Sequence, residues 1–115
     1  MPKLEKSPPE LAARFESAAA RHPGARQRQM FGYPALFVGG NLATGLFADG
    51  WMVRLGDADL ASLLALPGAT PFAPMAGRTT RGYGMLPPDV VADDAALDGW
   101  LERAIAFARS LPPKS

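Results

Sequence analysis

The chain has 115 residues, of which 48% are hydrophobic and 20% are charged, with a formal net charge of +1. This length and apolar content predict one globular domain and exclude a disordered chain, which combines low hydrophobicity with high net charge. There is no cysteine and one histidine, His22. Disulfides, thiolate nucleophiles and thiolate or multi-histidine metal sites are therefore excluded, and we expect no metal and no cofactor.

A first helix is predicted to begin at residues 7–10, Ser-Pro-Pro-Glu. Ser7 can accept a hydrogen bond from the free amides of the first turn, prolines suit that turn, and Glu10 stands at capping-box spacing. The apolar residues that follow recur at helical spacing and predict one buried stripe: Leu11, Phe15, Ala18 and Ala19. Residues 22–24, His-Pro-Gly, end the helix.

The next thirty residues are typical of an antiparallel meander. Short apolar runs predict strands at 26–31, 35–38, 42–47 and 51–55. The tight connections are 39–41, Gly-Gly-Asn, and 48–50, Ala-Asp-Gly, because glycine, asparagine and aspartate tolerate the positive φ of short hairpins. In the fourth strand, alternation places Arg54 on the face opposite Trp51 and Val53.

A second helix is predicted after Asp57, which can cap it, and ends at 67–68, Pro-Gly. Its inward stripe is Leu60, Leu63 and Leu64. Residues 70–86 are rich in proline and glycine, which favours one or two edge strands around a loop.

Asp93 and Asp94 place negative charge at the start of a third helix. Its inward stripe is Leu97, Trp100, Leu101, Ala104, Ala108 and Leu111. The element order α-β-β-β-β-α-β(β)-α predicts an α+β fold with an antiparallel sheet of about five or six strands and three packed helices. We expect residues 7–113 to form the domain and residues 1–6 to be a flexible N-terminus.

Candidate binding residues are Arg54 in the fourth strand and Arg78, Arg81 and Tyr83 in the glycine-rich segment. Arginine presents a planar fork that matches carboxylate and phosphate, so three arginines near one sheet edge can form an anion site. The alternative is ordinary surface charge. Likewise Trp51 and Tyr83 can form an exposed stacking platform for bases, or they can pack in the core.

The sequence offers little for catalysis. No serine stands in a strand-to-helix elbow, and His22 is interpreted as a polar residue at a helix end. Capping explains Asp93 and Asp94 without an acid-base role. Three arginines, Arg21, Arg26 and Arg28, cluster locally, but a net charge of +1 predicts no strong direct nucleic-acid binding.

The absence of an apolar run of roughly 18 to 20 residues and of a signal-peptide core predicts a cytoplasmic protein without a membrane partner.

The stretch from Gln27 to Lys114 resembles the N-terminal domain of the TfoX/Sxy family. The residues that carry the resemblance are 30–32 (Met-Phe-Gly), Gly40, Asn41, Gly45, Asp49, 52–55 (Met-Val-Arg-Leu), Pro67, Gly68, Gly77, Arg78, Gly82, Tyr83, Trp100 and 107–114. Members are small bacterial proteins, some with an added C-terminal helical domain and a link to the regulation of natural competence. The family has no established catalytic residues, so the resemblance implies a protein that is not an enzyme.

Two functions from different classes follow. The first is a regulatory or protein-interaction module that contacts a partner protein or associates with itself as a homodimer. The second is a binder of a small anionic ligand through Arg54, Arg78 and Arg81.

Overall fold

The structure, a computed structural model, describes residues 7–30, 32–73 and 81–113. Within those ranges the elements are, in chain order, α1 (Pro9–Ala20), β1 (Arg26–Met30), β2 (Tyr33–Val38), β3 (Asn41–Phe47), β4 (Gly50–Arg54), α2 (Asp57–Leu64), β5 (Thr70–Pro71), β6 (Tyr83–Met85), α3 (Pro88–Ala92) and α4 (Asp94–Ser110). Residues 1–6, predicted to be a flexible N-terminus, and the candidate residue Arg78 lie outside the described residues.

The six strands form one antiparallel sheet in the order β1-β2-β3-β4-β6-β5. The first four strands are consecutive hairpins, as the turn residues predict. β6 then pairs with β4 and places β5 at the far edge. The predicted α+β class and the strand number are confirmed. The three predicted helices are α1, α2 and α4, and the short α3 was not predicted.

Both predicted hairpin turns are present, but they obtain positive φ in different ways. Between β2 and β3, Gly39 and Gly40 have φ values of 59° and 81°. Between β3 and β4 it is Ala48, with φ 53°, rather than a glycine or an aspartate, that takes the left-handed conformation. A non-glycine residue rarely adopts this region, so the second turn stores some backbone strain.

The hydrophobic core lies between the sheet and the helices. Phe15 of α1 is fully buried, and its ring centroid lies 5.0 Å from that of Trp51 on β4, which is 1% exposed. The predicted stripe of α4 supplies most of the other wall, with Leu97, Leu101, Ala104 and Ala108 buried. Several predicted core positions differ. Leu64 at the end of α2 is 38% exposed, and five others are only partly buried, namely Leu11, Ala19, Leu60, Trp100 and Leu111.

Of the three side chains predicted to cap helices, one does so and two do not. Asp93 accepts hydrogen bonds from the backbone amides of Ala95 and Ala96, as a capping side chain should. Ser7 does not cap α1, because its hydroxyl donates instead to the carbonyl of Ala48, 2.7 Å away. Asp57 does not cap α2 either; it lies in the first turn, and the residue before it is the N-cap.

Close packing of α2 on the sheet determines where β6 lies. A Cβ atom added to Gly84 of β6 would stand 2.8 Å from Leu63 and 3.1 Å from Leu60, both on α2. The helix therefore approaches the strand closely only because this position has no side chain. This packing holds the start of β6, which carries Tyr83, beside the end of β4.

No helix in the described ranges is long and apolar enough to cross a bilayer.

Candidate functional site

Arg54 and Tyr83, two of the predicted site residues, are cross-strand partners at the end of the sheet where β4 finishes and β6 begins. The Leu55 amide donates to the carbonyl of Gly82 at 3.0 Å, which closes this end. The Arg54 guanidinium carbon lies 5.6 Å from the centroid of the Tyr83 ring and 5.8 Å from that of Phe107 on α4. Arg54 is therefore held between two aromatic rings by cation–π contacts.

Within the described part of the chain, neither Arg54 nor Arg81 has a carboxylate partner. The ion pairs that the described residues form use Arg14, Arg21 and His22 as their cations. Arg54 is half-buried, and Arg81 is exposed two residues before Tyr83. The structure thus places three of the four predicted site residues in one region, with the fourth outside the described residues. The anion site itself stays a prediction.

The stacking platform predicted as an alternative is wrong for Trp51, which is buried in the core. Tyr83 instead belongs to a row of rings across the sheet. Ring centroids are 5.4 Å apart for Tyr33 and Phe47, 5.4 Å for Phe47 and Phe72, and 6.1 Å for Phe72 and Tyr83. These spacings are those of aromatic packing pairs, which explains Tyr83 as a structural residue.

The local basic cluster is divided by the fold. Arg21 lies against α4, with its Nε atom 2.9 Å from Asp98 Oδ2, and His22 Nε2 lies 3.1 Å from Asp98 Oδ1. Partial burial acts to raise the pKa of Asp98, but hydrogen bonds from Arg21 and His22 outweigh it and leave that pKa below its usual value. The hydrogen bond between Arg21 and Asp98 also raises the pKa of the Arg21 guanidinium. Arg21 and His22 therefore serve to join α1 to α4.

The other two arginines of the cluster lie on β1, and no carboxylate among the described residues pairs with them. Arg26 and Arg28 are exposed and lie two residues apart, so they share one face of the strand. They line a cleft of about 320 Å³ together with Phe37 and the Gly39–Gly40 turn. In the described part of the chain, β1 pairs with β2 alone and forms an edge of the sheet. This edge combines free backbone groups with two unneutralised positive charges.

A family model for the TfoX N-terminal domain matches residues 11–108. The match extends over the sheet, α2 and α3 and over nearly all of α1 and α4. The chain belongs to the TfoX N-terminal domain family. A comparison with curated proteins and a comparison with solved structures each find no match. The TfoX N-terminal domain family is not a known enzyme family.

Sequence reasoning selected Arg54 and Tyr83 in this TfoX N-terminal domain but did not select β1 as a binding edge. A signal was present, because Arg26 to Gln29 reads Arg-Gln-Arg-Gln, with arginine at every second position of a predicted strand. That period places both charges on one face.

Among the residues described, no group of three or more His, Cys, Asp and Glu is arranged to hold a metal ion.

Proposed function

We propose that this TfoX N-terminal domain is a non-enzymatic interaction module that binds a partner protein by adding an extended segment of that partner to the open edge of β1. The observation that supports the proposal is an edge strand with two arginines that pair with no carboxylate of residues 7–30, 32–73 and 81–113. Strand addition is a common mode of peptide recognition, in which backbone hydrogen bonds supply affinity and side chains supply specificity. A cytoplasmic location stays a prediction.

The two edges of the sheet differ in what they offer a partner. β1 has five residues, four of them exposed. In antiparallel pairing every second residue turns its N–H and C=O away from the neighbouring strand, so β1 presents unpaired donors and acceptors. β5, at the opposite edge, has two residues, and one of them is Pro71, which has no N–H. Strand addition is therefore favoured at β1.

The charges indicate an acidic partner. Opposite charges on facing strands stabilise a pair by roughly 0.2 to 1 kcal/mol, and like charges destabilise it. An added strand with carboxylates at alternate positions would place them beside Arg26 and Arg28. A second copy of β1, paired about a twofold axis centred on Gln27 or Arg28, would instead set arginine opposite arginine. We therefore favour an acidic extended segment of another protein over self-association.

The test uses two synthetic peptides of equal length that alternate threonine with glutamate or threonine with lysine. Titration into the ¹⁵N-labelled domain is followed by amide shifts and amide hydrogen exchange. We expect the glutamate peptide to bind, to protect outward amides of β1, and to bind at least about tenfold more weakly to the R26E/R28E variant. The matched control R81E, which reverses an exposed arginine outside β1, should retain binding.

Three outcomes would overturn the proposal. Equal binding of the two peptides would show that Arg26 and Arg28 do not select an acidic partner. Amide shifts confined to residues away from β1 would show that the peptide does not bind at this strand. A dimer in sedimentation experiments with β1 amides protected in the absence of peptide would replace an acidic partner with self-association.

A second candidate function is the binding of a small anion by Arg54 and Arg81, with Arg78. It is favoured by one observation, namely that the half-buried Arg54 has no carboxylate partner in the described part of the chain. The two aromatic rings that flank Arg54 already give it a structural role. For that reason β1 remains the leading surface.

A further inference from the structure

A cleft of about 440 Å³ that shares no lining residue with β1 opens between the start of α1, the β3–β4 turn and α3. Its walls are apolar, formed by Pro8 and Leu11 on one side and by Leu86, Pro88 and Val91 on the other, with Trp51 at its floor. Sites for small organic ligands have this composition and volumes of roughly 300 to 1,000 Å³. The cleft is separate from β1 and from Arg54.

The walls of this cleft are joined by hydrogen bonds and an ion pair, so the cleft is formed before any ligand binds. Ser7 at the start of α1 donates to the carbonyl of Ala48 in the β3–β4 turn at 2.7 Å. On the opposite side Arg14 donates through Nε to the carbonyl of Val91, and its terminal nitrogen lies 2.7 Å from Asp94 Oδ1. A rigid cavity binds more tightly because less conformational entropy is lost on binding.

The described side chains that line the cleft carry a net negative charge once these contacts are counted. Among the described residues that line it, Arg14 is the one basic residue, and Asp94 pairs with it. The acidic lining residues Glu10 and Asp49 are exposed, and the ion pairs of the described residues include neither. An apolar floor bordered by two unpaired carboxylates is complementary to a ligand with an apolar body and one positive charge.

We propose that this cleft binds a small organic cation, an amine with an aromatic or aliphatic body. The apolar body packs against Leu11, Pro88 and Val91, above the buried Trp51, and the ammonium group lies at the rim between Glu10 and Asp49. A neutral or anionic molecule of the same shape loses the charge interaction and binds more weakly. This site is independent of the proposed strand addition at β1.

Trp51 provides the readout. The chain has two tryptophans, so the W100F variant leaves Trp51 as the sole indole fluorophore. This variant is titrated with 2-phenylethylamine, 2-phenylethanol and 3-phenylpropionate, which share an aromatic body and differ in charge. Methyl shifts of Leu11 and Val91 in the wild-type domain locate the bound molecule independently of fluorescence.

We expect saturable binding of the amine, at least about tenfold tighter than that of the alcohol, with the carboxylate weakest. The E10Q/D49N variant should bind the amine no better than the alcohol. The matched control E16Q removes a carboxylate of α1 outside the cleft and should keep the preference. Thermal melts of each variant establish that it is folded.

Three results would overturn the proposal. The first is equal binding of the three compounds, and the second is the absence of any change in Trp51 fluorescence and in the Leu11 and Val91 methyls at millimolar amine. The third is a preference for the amine that survives in E10Q/D49N or is lost equally in E16Q, which would place the recognising charge elsewhere.

Discussion

The indole N–H of Trp51 donates a hydrogen bond to the hydroxyl of Thr44, 2.9 Å away and within the core. The Thr44 hydroxyl donates in turn to the carbonyl of Met52 at 2.6 Å. Thr44 is fully buried and Trp51 is 1% exposed. Each polar atom of this buried pair is thus satisfied by another, and the two bonds orient the largest core side chain between α1 and the sheet.

We predict that T44V destabilises the domain by about 1 to 3 kcal/mol, because it leaves the buried Trp51 N–H without an acceptor. Valine matches threonine in shape, so packing changes little. The free energy of unfolding is measured by urea denaturation. T44S keeps the hydroxyl and should be clearly more stable than T44V, and equal stability of the two variants would contradict the role given to the hydrogen bond.

The two tryptophans should differ in their contribution to stability. Truncation of a buried tryptophan costs about 3 to 5 kcal/mol, a large part of the roughly 5 to 15 kcal/mol that stabilises a small domain. W51A should therefore unfold the protein or leave it molten in circular-dichroism melts. W100A should remain folded, since Trp100 is partly exposed and its ring is covered by Arg103 at 4.4 Å. An unfolded W100A beside a folded W51A would reverse this assignment.

The lowered pKa of Asp98 predicts a loss of stability in acid. A carboxyl whose pKa is lower in the folded state stabilises the fold fully above its unfolded value, 3.8, and this stabilisation is lost as the pH falls through the lower folded value. The free energy of unfolding should therefore fall less between about pH 6 and about pH 3 in D98N than in the wild type. The control D57N changes an exposed carboxylate of α2 and should retain the wild-type dependence. Identical profiles for D98N and the wild type would show that the contacts with Arg21 and His22 do not stabilise the fold.

Alanine variants of Arg54, Arg78 and Arg81 distinguish a structural role from anion binding at the end of β4. R54A should lose about 1 to 2 kcal/mol of stability, since each cation–π contact contributes about 0.5 to 1 kcal/mol, and R81A should change stability by less than about 0.5 kcal/mol. If these residues bind an anion, pyrophosphate or citrate should raise the Tm of the wild type and not of R81A or R78A. A Tm that the anions leave unchanged, or raise equally in all variants, would refute this second candidate function.

Short-range rules accounted for much of this fold. The glycines at 39 and 40 indicated the β2–β3 turn because few other residues adopt positive φ, and Asp93 indicated a helix start because its carboxylate reaches the amides of the next turn. The helical period of Leu97, Leu101 and Ala104 indicated the buried face of α4. Each of these features depends on residues within about two helical turns, so the sequence alone contains the information.

Burial and charge pairing were decided by the tertiary structure. Arg21 and Asp98 stand 77 positions apart. Nothing local distinguishes Arg21, which forms an ion pair, from Arg26 and Arg28, which form none with the described residues. Both tryptophans fit an apolar pattern, but only Trp51 lies where α1 meets the sheet. The sequence by itself determined the three longer helices and the four strands of the meander, since these follow from neighbouring residues, but it did not indicate α3. The packing of distant elements decided which side chains are buried and which charges remain free, because solvent exposure and ion pairs depend on what the fold brings into contact.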